Sequence, residues 1–269
     1  MSFPKTIHQI WLQGINNIPE KYNTNILSIK QHNTDFEYKM WDEISILDII
    51  HTNPTWTKTY YSFIYLHQKV DYARYIILWL MGGIYVDIDV NALKSFDSIL
   101  EEFKDYDLIV SKLIVNKINS MLQCHHPECL NNGVIISKQK ADILNEIIKY
   151  IDNNSTCSFI CPKIMCINKT TGPLMFTKVI NQYIKNNSGN KSKIYILPAE
   201  YLEPCTFGDC KHTVNTIVSH NHNCTWIPKY QYNIMKFYIK NTGLTIAIII
   251  LMLSIVIYFI YKFYKTKNK

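Results

Sequence analysis

A chain of 269 residues, 48% of them hydrophobic, is long enough to bury one sizeable core. Part of its net charge of +7 comes from Lys262, Lys265, Lys267 and Lys269 at the extreme C-terminus, and no basic stripe runs elsewhere. That pattern speaks against nucleic acid as a partner.

In chain order, a strand over residues 6–11 is followed by a helix opening at Pro19, a strand over 36–41 and a helix capped by Asp42. Residues 67–81 read as a helix, because Val70, Ala73, Ile77, Leu80 and Met81 recur at three- and four-residue steps. Gly82 and Gly83 end it with a left-handed cap and a sharp reversal into Ile84. The strand that follows turns Val86, Ile88 and Val90 to one face and Tyr85, Asp87 and Asp89 to the other. Strands over 107–113 and 134–137, helices over 140–151 and 173–185, and a strand over 193–197 complete the pass. This alternation predicts an α/β fold, a mostly parallel sheet covered by helices on both faces. Ligands of such sheets bind beyond the carboxyl ends of the strands, where Asp87 and Asp89 fall. No Gly-rich phosphate loop of either common type is present.

Two carboxylates that converge at a strand end suit Mg²⁺ or Mn²⁺, hard cations that keep positions open for substrate phosphates. Asp71 and Arg74 lie three apart on one helix face, a spacing that serves either a surface ion pair or a cleft. A haloacid dehalogenase-type phosphatase also places D-x-D after a strand, but follows it with x-T/V-L/I, whereas this chain has Val90-Asn91-Ala92.

Residues 244–261 hold no charge and span about 27 Å as a helix, enough for a thin bilayer. Tyr258, Phe259, Tyr261 and Phe263 fit an interfacial belt. We therefore expect a soluble domain over 1–232, a juxtamembrane linker over 233–243, a transmembrane helix over 244–261 and a basic tail over 262–269. This describes a single-pass protein with a C-terminal anchor, in an endomembrane of the ER or Golgi kind or in a viral or host membrane. The flanking lysines barely favour a cytoplasmic tail, while the first residues read as a strand and not as a signal peptide, so the catalytic side stays open. All eight cysteines lie between Cys124 and Cys224, a clustering open to disulfides, free thiols or a zinc site such as Cys205, Cys210, His212 and Cys224.

The stretch from Asp71 to Asp89 resembles the signature of the family 32 glycosyltransferases, with Asp71, Arg74, Leu78, Gly82, Gly83, Tyr85, Asp87 and Asp89 in place. PKTIHQIW at 4–11, TTGPLMFT at 170–177 and SHNHNCTW at 219–226 are similar to that family's other motifs, in the expected order. The resemblance implies a GT-A fold and a retaining transfer of a hexose from a nucleoside diphosphate sugar, GDP-mannose or a UDP-hexose, to a hydroxyl of a glycan or glycolipid. It implies Mn²⁺ or Mg²⁺ held by Asp89 and Asp87, with His222 completing the set. Arg74 joins the two aspartates as catalytic machinery. Trp11 would stack on the nucleobase, Asp71 and Arg74 would contact donor sugar hydroxyls, and Tyr85 would line the nucleotide pocket or cover the metal site. A catalytically inactive, membrane-tethered binding protein of the same fold is the alternative from another class.

Overall fold

The computed structural model describes residues 2–186, 192–206, 209–220 and 229–267. Contacts divide the chain into two units, Met1–Asn223 and Cys224–Lys269.

The first unit begins with β1 (Thr6–Ile10), α1 (Asn23–His32), β2 (Glu37–Trp41), α2 (Glu43–Ile50) and α3 (Pro54–Ser62). The long helix α4 (Leu66–Met81) leads into β3 (Gly83–Val86), followed by β4 (Val90–Ala92), α5 (Asp97–Glu102), β5 (Leu108–Ser111) and α6 (Lys117–Cys124). After them come β6 (Val134–Ser137), α7 (Asp142–Asn153), α8 (Lys163–Thr170), α9 (Pro173–Lys185), β7 (Ile194–Leu197) and α10 (Ala199–Leu202). Three short strands, β8 (Cys205–Thr206), β9 (Asp209–Cys210) and β10 (Val218–His220), close the unit.

Six strands form the main sheet in the order β2-β1-β3-β6-β5-β7. Only β6 runs against its neighbours β3 and β5; the other pairings are parallel. Both faces are covered, as the alternation of strand side chains requires. Tyr85, Leu108, Val110 and Ile135 enter one apolar cluster with Tyr75, Ile147 and Phe176, while Ile84, Val86, Ile109 and Ile136 enter the other with Ile7, Ile29 and Phe96.

Helix α4 is buried on more than the single stripe its periodicity predicts: every residue from Asp71 to Leu78 is inside. It packs against α7 and α8 as well as β3 and β6, so its polar side chains are enclosed along with its apolar ones. Gly82 and Gly83 follow at φ +67 and +95, and a Cβ on Gly83 would stand 2.4 Å from the Thr6 carbonyl oxygen.

The strand expected to carry both aspartates stops short. β3 ends at Val86: the Asp87 N–H still meets the Gly133 carbonyl in register with β6 at 2.8 Å, but Val90 N–H bonds back to the Asp87 carbonyl at 3.1 Å and turns the chain. Asp87, Ile88 and Asp89 thus make a turn, and β4 leaves the main sheet to pair antiparallel with β10. The carboxylates converge through that turn and not through strand alternation. Disulfides join Cys124 to Cys129, Cys157 to Cys166 and Cys205 to Cys210, which uses two ligands of the zinc set considered above. Cys224 lies outside the described residues.

The second unit contains α11 (Lys229–Lys240) and α12 (Thr242–Lys267). Within α12, the 20 residues Thr242–Tyr261 are long and apolar enough to cross a membrane.

Candidate active site

The site forms where β3 runs out at the carboxyl edge of the sheet. Its inner half comes from α4. Arg74 Nη2 lies 2.8 Å from Asp71 Oδ1 and 3.3 Å from Asp87 Oδ1, and Nη1 donates to the Asn132 carbonyl at 2.5 Å. Its guanidinium sits 4.3 Å from the centre of the Tyr85 ring, and the Tyr85 hydroxyl donates to Asp87 Oδ1 at 2.7 Å. Asp71 is held in turn by Thr171 Oγ1 at 2.8 Å and Asn132 Nδ2 at 3.3 Å. With side-chain exposures of 6% and 9%, Arg74 and Asp71 are no surface pair.

Electrostatics bind this half together. Burial works against the charge of Arg74, yet Asp87, Tyr85 and Asp71 hold its pKa above the ordinary value. Burial pushes the Asp87 carboxyl up; Arg74 pulls it back, and the like charge of Asp89 adds to the rise. A cation shared by the two carboxylates would relieve that repulsion.

The outer half is brought by the returning chain. β10 lies against β4 with His220 opposite Val90, which sets the imidazole beside Asp89. His220 Nε2 is 3.1 Å from Asp89 Oδ1, and Nδ1 is 2.9 Å from Glu203 Oε2. Burial opposes a charged ring, but Glu203 and Asp89 on either side carry its pKa well above the usual value. Glu203, fully buried, also accepts from Asn131 Nδ2 at 2.5 Å.

Ligand atoms of Asp87, Asp89 and His220 all lie within 4.8 Å of one another. Carboxylate oxygens with one imidazole nitrogen are a donor set that fits Mn²⁺, and the oxygens alone fit Mg²⁺. Gly133 keeps this space open: a Cβ there would come within 2.7 Å of Asp87 Oδ2 and 3.1 Å of His220 Cε1. Backbone supports come from below, since Gln9 Nε2 donates to the Asp87 carbonyl at 3.2 Å and Asn25 Nδ2 to the Ile88 carbonyl at 3.2 Å.

Of the residues expected from sequence, Asp71, Arg74, Tyr85, Asp87 and Asp89 meet in one cluster. Tyr85 is buried and serves as a hydrogen-bond donor to Asp87, so it lies behind the carboxylates. Trp11 follows β1, parallel to β3, and so stands at the same sheet edge, half-buried, 5.6 Å from the Tyr22 ring, its Nε1 donating to the Asn17 carbonyl at 3.2 Å. His222 lies outside the described residues; the histidine found beside the aspartates is His220, from the same SHNH segment. Sequence reasoning missed Glu203, Asn131 and Asn132. The match of 219–226 to a closing motif pointed at the histidine segment, but nothing local marks Glu203.

Residues 19–106 match the family described as a glycosyltransferase sugar-binding region containing a DXD motif. An uncharacterized glycosyltransferase of Acanthamoeba polyphaga mimivirus is 29% identical over 259 residues, 91% of each chain. Inositol phosphoceramide mannosyltransferase 3 of Schizosaccharomyces pombe is 38% identical over 100 residues, 37% of this chain and 28% of its own. A mannosyl phosphorylinositol ceramide synthase of Saccharomyces cerevisiae is 28% identical over 201 residues, 74% of this chain and 48% of its own. The chain thus spans nearly all of the viral relative and under half of either yeast protein. Among solved structures, the ligand-free glycosyltransferase domain of the YGT toxin superposes with a TM-score of 0.50 at 8% identity, covering 88% of this chain and 86% of that one, a likeness of fold alone.

Fold and site together define a glycosyltransferase of the GT-A type. Within that class, residues 19–106 are similar to the sugar-binding region of the transferases that carry the DXD motif.

Proposed function

We propose that this protein is a metal-dependent hexosyltransferase that moves a sugar, mannose foremost, from a nucleoside diphosphate to a hydroxyl of a glycan or glycolipid at a membrane, with retention of configuration. The observation that carries the reading is the convergence of Asp87, Asp89 and His220 at the carboxyl end of β3. Mannose is favoured by the names of the yeast relatives, and membrane attachment by the apolar helix Thr242–Tyr261.

In this reading Asp89, Asp87 and His220 hold Mn²⁺ or Mg²⁺, with His222 as the second candidate from the same segment. The ion, when bound, supplies positive charge against the departing diphosphate. Arg74 and Tyr85 fix the Asp87 carboxylate so that little reorganisation is needed when the donor arrives. Both oxygens of Asp71 already accept from protein groups, so Asp71 and Arg74 shape the sugar side of the pocket chiefly through Asp87. Trp11 offers its ring to the nucleobase at the same sheet edge.

The test is release of nucleoside diphosphate by the full chain in detergent, offered GDP-mannose and a series of UDP-hexoses with Mn²⁺, Mg²⁺ or chelator. Metal-dependent turnover of one donor is expected. No turnover and no metal-dependent nucleotide binding from folded protein would overturn the reading in favour of a tethered binding protein.

A further inference from the structure

We propose that Glu203 is a positioning residue that fixes which nitrogen His220 presents to the metal. The inference rests on reading Asp87, Asp89 and His220 as a cation site.

Glu203 follows α10, has no exposed surface, and has no part in the sugar-binding region matched by residues 19–106. A carboxylate enclosed that completely is retained only with partners, and Oε2 meets Asn131 Nδ2 and His220 Nδ1. An imidazole has two nitrogens, and the one that donates to a carboxylate keeps its proton there. Both nitrogens face carboxylates, Nε2 toward Asp89 at 3.1 Å and Nδ1 toward Glu203 at 2.9 Å; a cation held by Asp87 and Asp89 would take the Nε2 lone pair and leave the proton on Nδ1, where Glu203 accepts it. Carboxylate, histidine and metal in that order are a recurrent means of setting ring orientation and ligand basicity.

The contacts also close on themselves. Asn131 Oδ1 accepts from Gly133 N–H at 2.7 Å, and the Gly133 carbonyl accepts from Asp87 N–H at 2.8 Å. From Asp89 the chain of contacts therefore runs through His220, Glu203, Asn131 and Gly133 to Asp87. Two residues beyond Glu203, the Cys205–Cys210 disulfide anchors its segment, and Cys205 Sγ lies 3.2 Å from the Oγ of Ser219, the neighbour of His220 on β10. The orienting acid and the oriented base are thus tied at both ends.

The experiment uses the full chain in detergent. Mn²⁺ affinity is read from the resonance of free ion, and ligand geometry from the visible spectrum of bound Co²⁺, in wild type, Glu203→Gln, Glu203→Asp and His220→Ala. Glu203→Gln should weaken Mn²⁺ binding about 10–100-fold and alter the Co²⁺ spectrum while the melting midpoint holds, and Glu203→Asp should recover part of the loss. Wild-type affinity in Glu203→Gln beside a weakened His220→Ala would reduce Glu203 to a structural group and overturn the proposal. Wild-type affinity in His220→Ala would instead remove the histidine from the cation site, and the proposal with it. If the Glu203 variants do not fold, ¹⁵N shifts of His220 in Zn²⁺-loaded wild type decide: a proton on Nδ1 is expected, and a proton on Nε2 contradicts.

Discussion

The two aspartates of the motif are held in unlike ways. Asp87 is gripped by groups from its own neighbourhood in the fold, with Arg74 from α4 and Tyr85 from β3 on its side chain and Gln9 from β1 on its carbonyl. Asp89 meets a histidine 131 positions further along the chain, itself held by Glu203. The first arrangement is built on α4, β3 and β1, elements that carry the two apolar clusters. The second is assembled by the short buried strand β10, which pairs with β4 and not with the main sheet. The comparison teaches that one D-x-D motif can hold its two carboxylates by separate means, one from neighbouring elements and one from a distant segment.

Arg74→Leu is the largest probe of that difference. Removing the guanidinium leaves the buried Asp71 and the half-buried Asp87 without their countercharge, and stability measured by urea unfolding should fall by about 3 kcal/mol. The comparison breaks if His220→Ala costs as much.

Acid should act on the histidine beneath the diglycine turn. His8 lies under the Gly82–Gly83 turn, with Nε2 3.0 Å from the Gly82 carbonyl oxygen and Nδ1 accepting from Trp41 Nε1 at 3.2 Å. Burial depresses its pKa to about 4 from 6.5. Above pH 6.5 neither state binds this proton; between 6.5 and about 4 the unfolded chain takes it and the native one does not, so stability falls as pH falls. The loss from pH 7 to 4.5 should be about 2–3 kcal/mol. His67, also depressed to about 4, adds a similar slope, so the readout is the flatter profile of His8→Gln relative to wild type.

Tyr38→Phe sharpens the comparison at its smallest scale. The hydroxyl donates to Gln9 Oε1 at 2.6 Å, and Gln9 carries the Asp87 carbonyl. Chemical denaturation should register a loss of about 1 kcal/mol, with Mn²⁺ affinity little changed.

The same contrast governs what the sequence makes legible. From Asp71 to Val86 the determinants are local: helical periodicity, a diglycine reversal and a following strand; α4 appears where those signals put it and β3 opens there, though it ends before the aspartates it was expected to carry. Helix α2 starts after Asp42 because that side chain accepts from Ser45 N–H, a cap readable in advance. Helix α3 carried an equally plain signal, Asn53 followed by Pro54, with Asn53 Oδ1 accepting from Thr55 and Trp56 N–H, and the reading passed over it. By contrast, β10 is three residues long and Glu203 sits in an irregular segment, so no periodicity marks either. Their places are set by pairing with β4 and by buried polar contacts, which are properties of the folded chain alone.

The most direct test of the shared-cation account is Mn²⁺ titration of the full chain with nucleoside diphosphate present, in wild type, Asp87→Asn and Asp89→Asn. The account predicts one site in wild type, its loss in Asp89→Asn at unchanged melting temperature, and in Asp87→Asn a loss accompanied by a shift in melting temperature. Undiminished Mn²⁺ binding in both variants would contradict it.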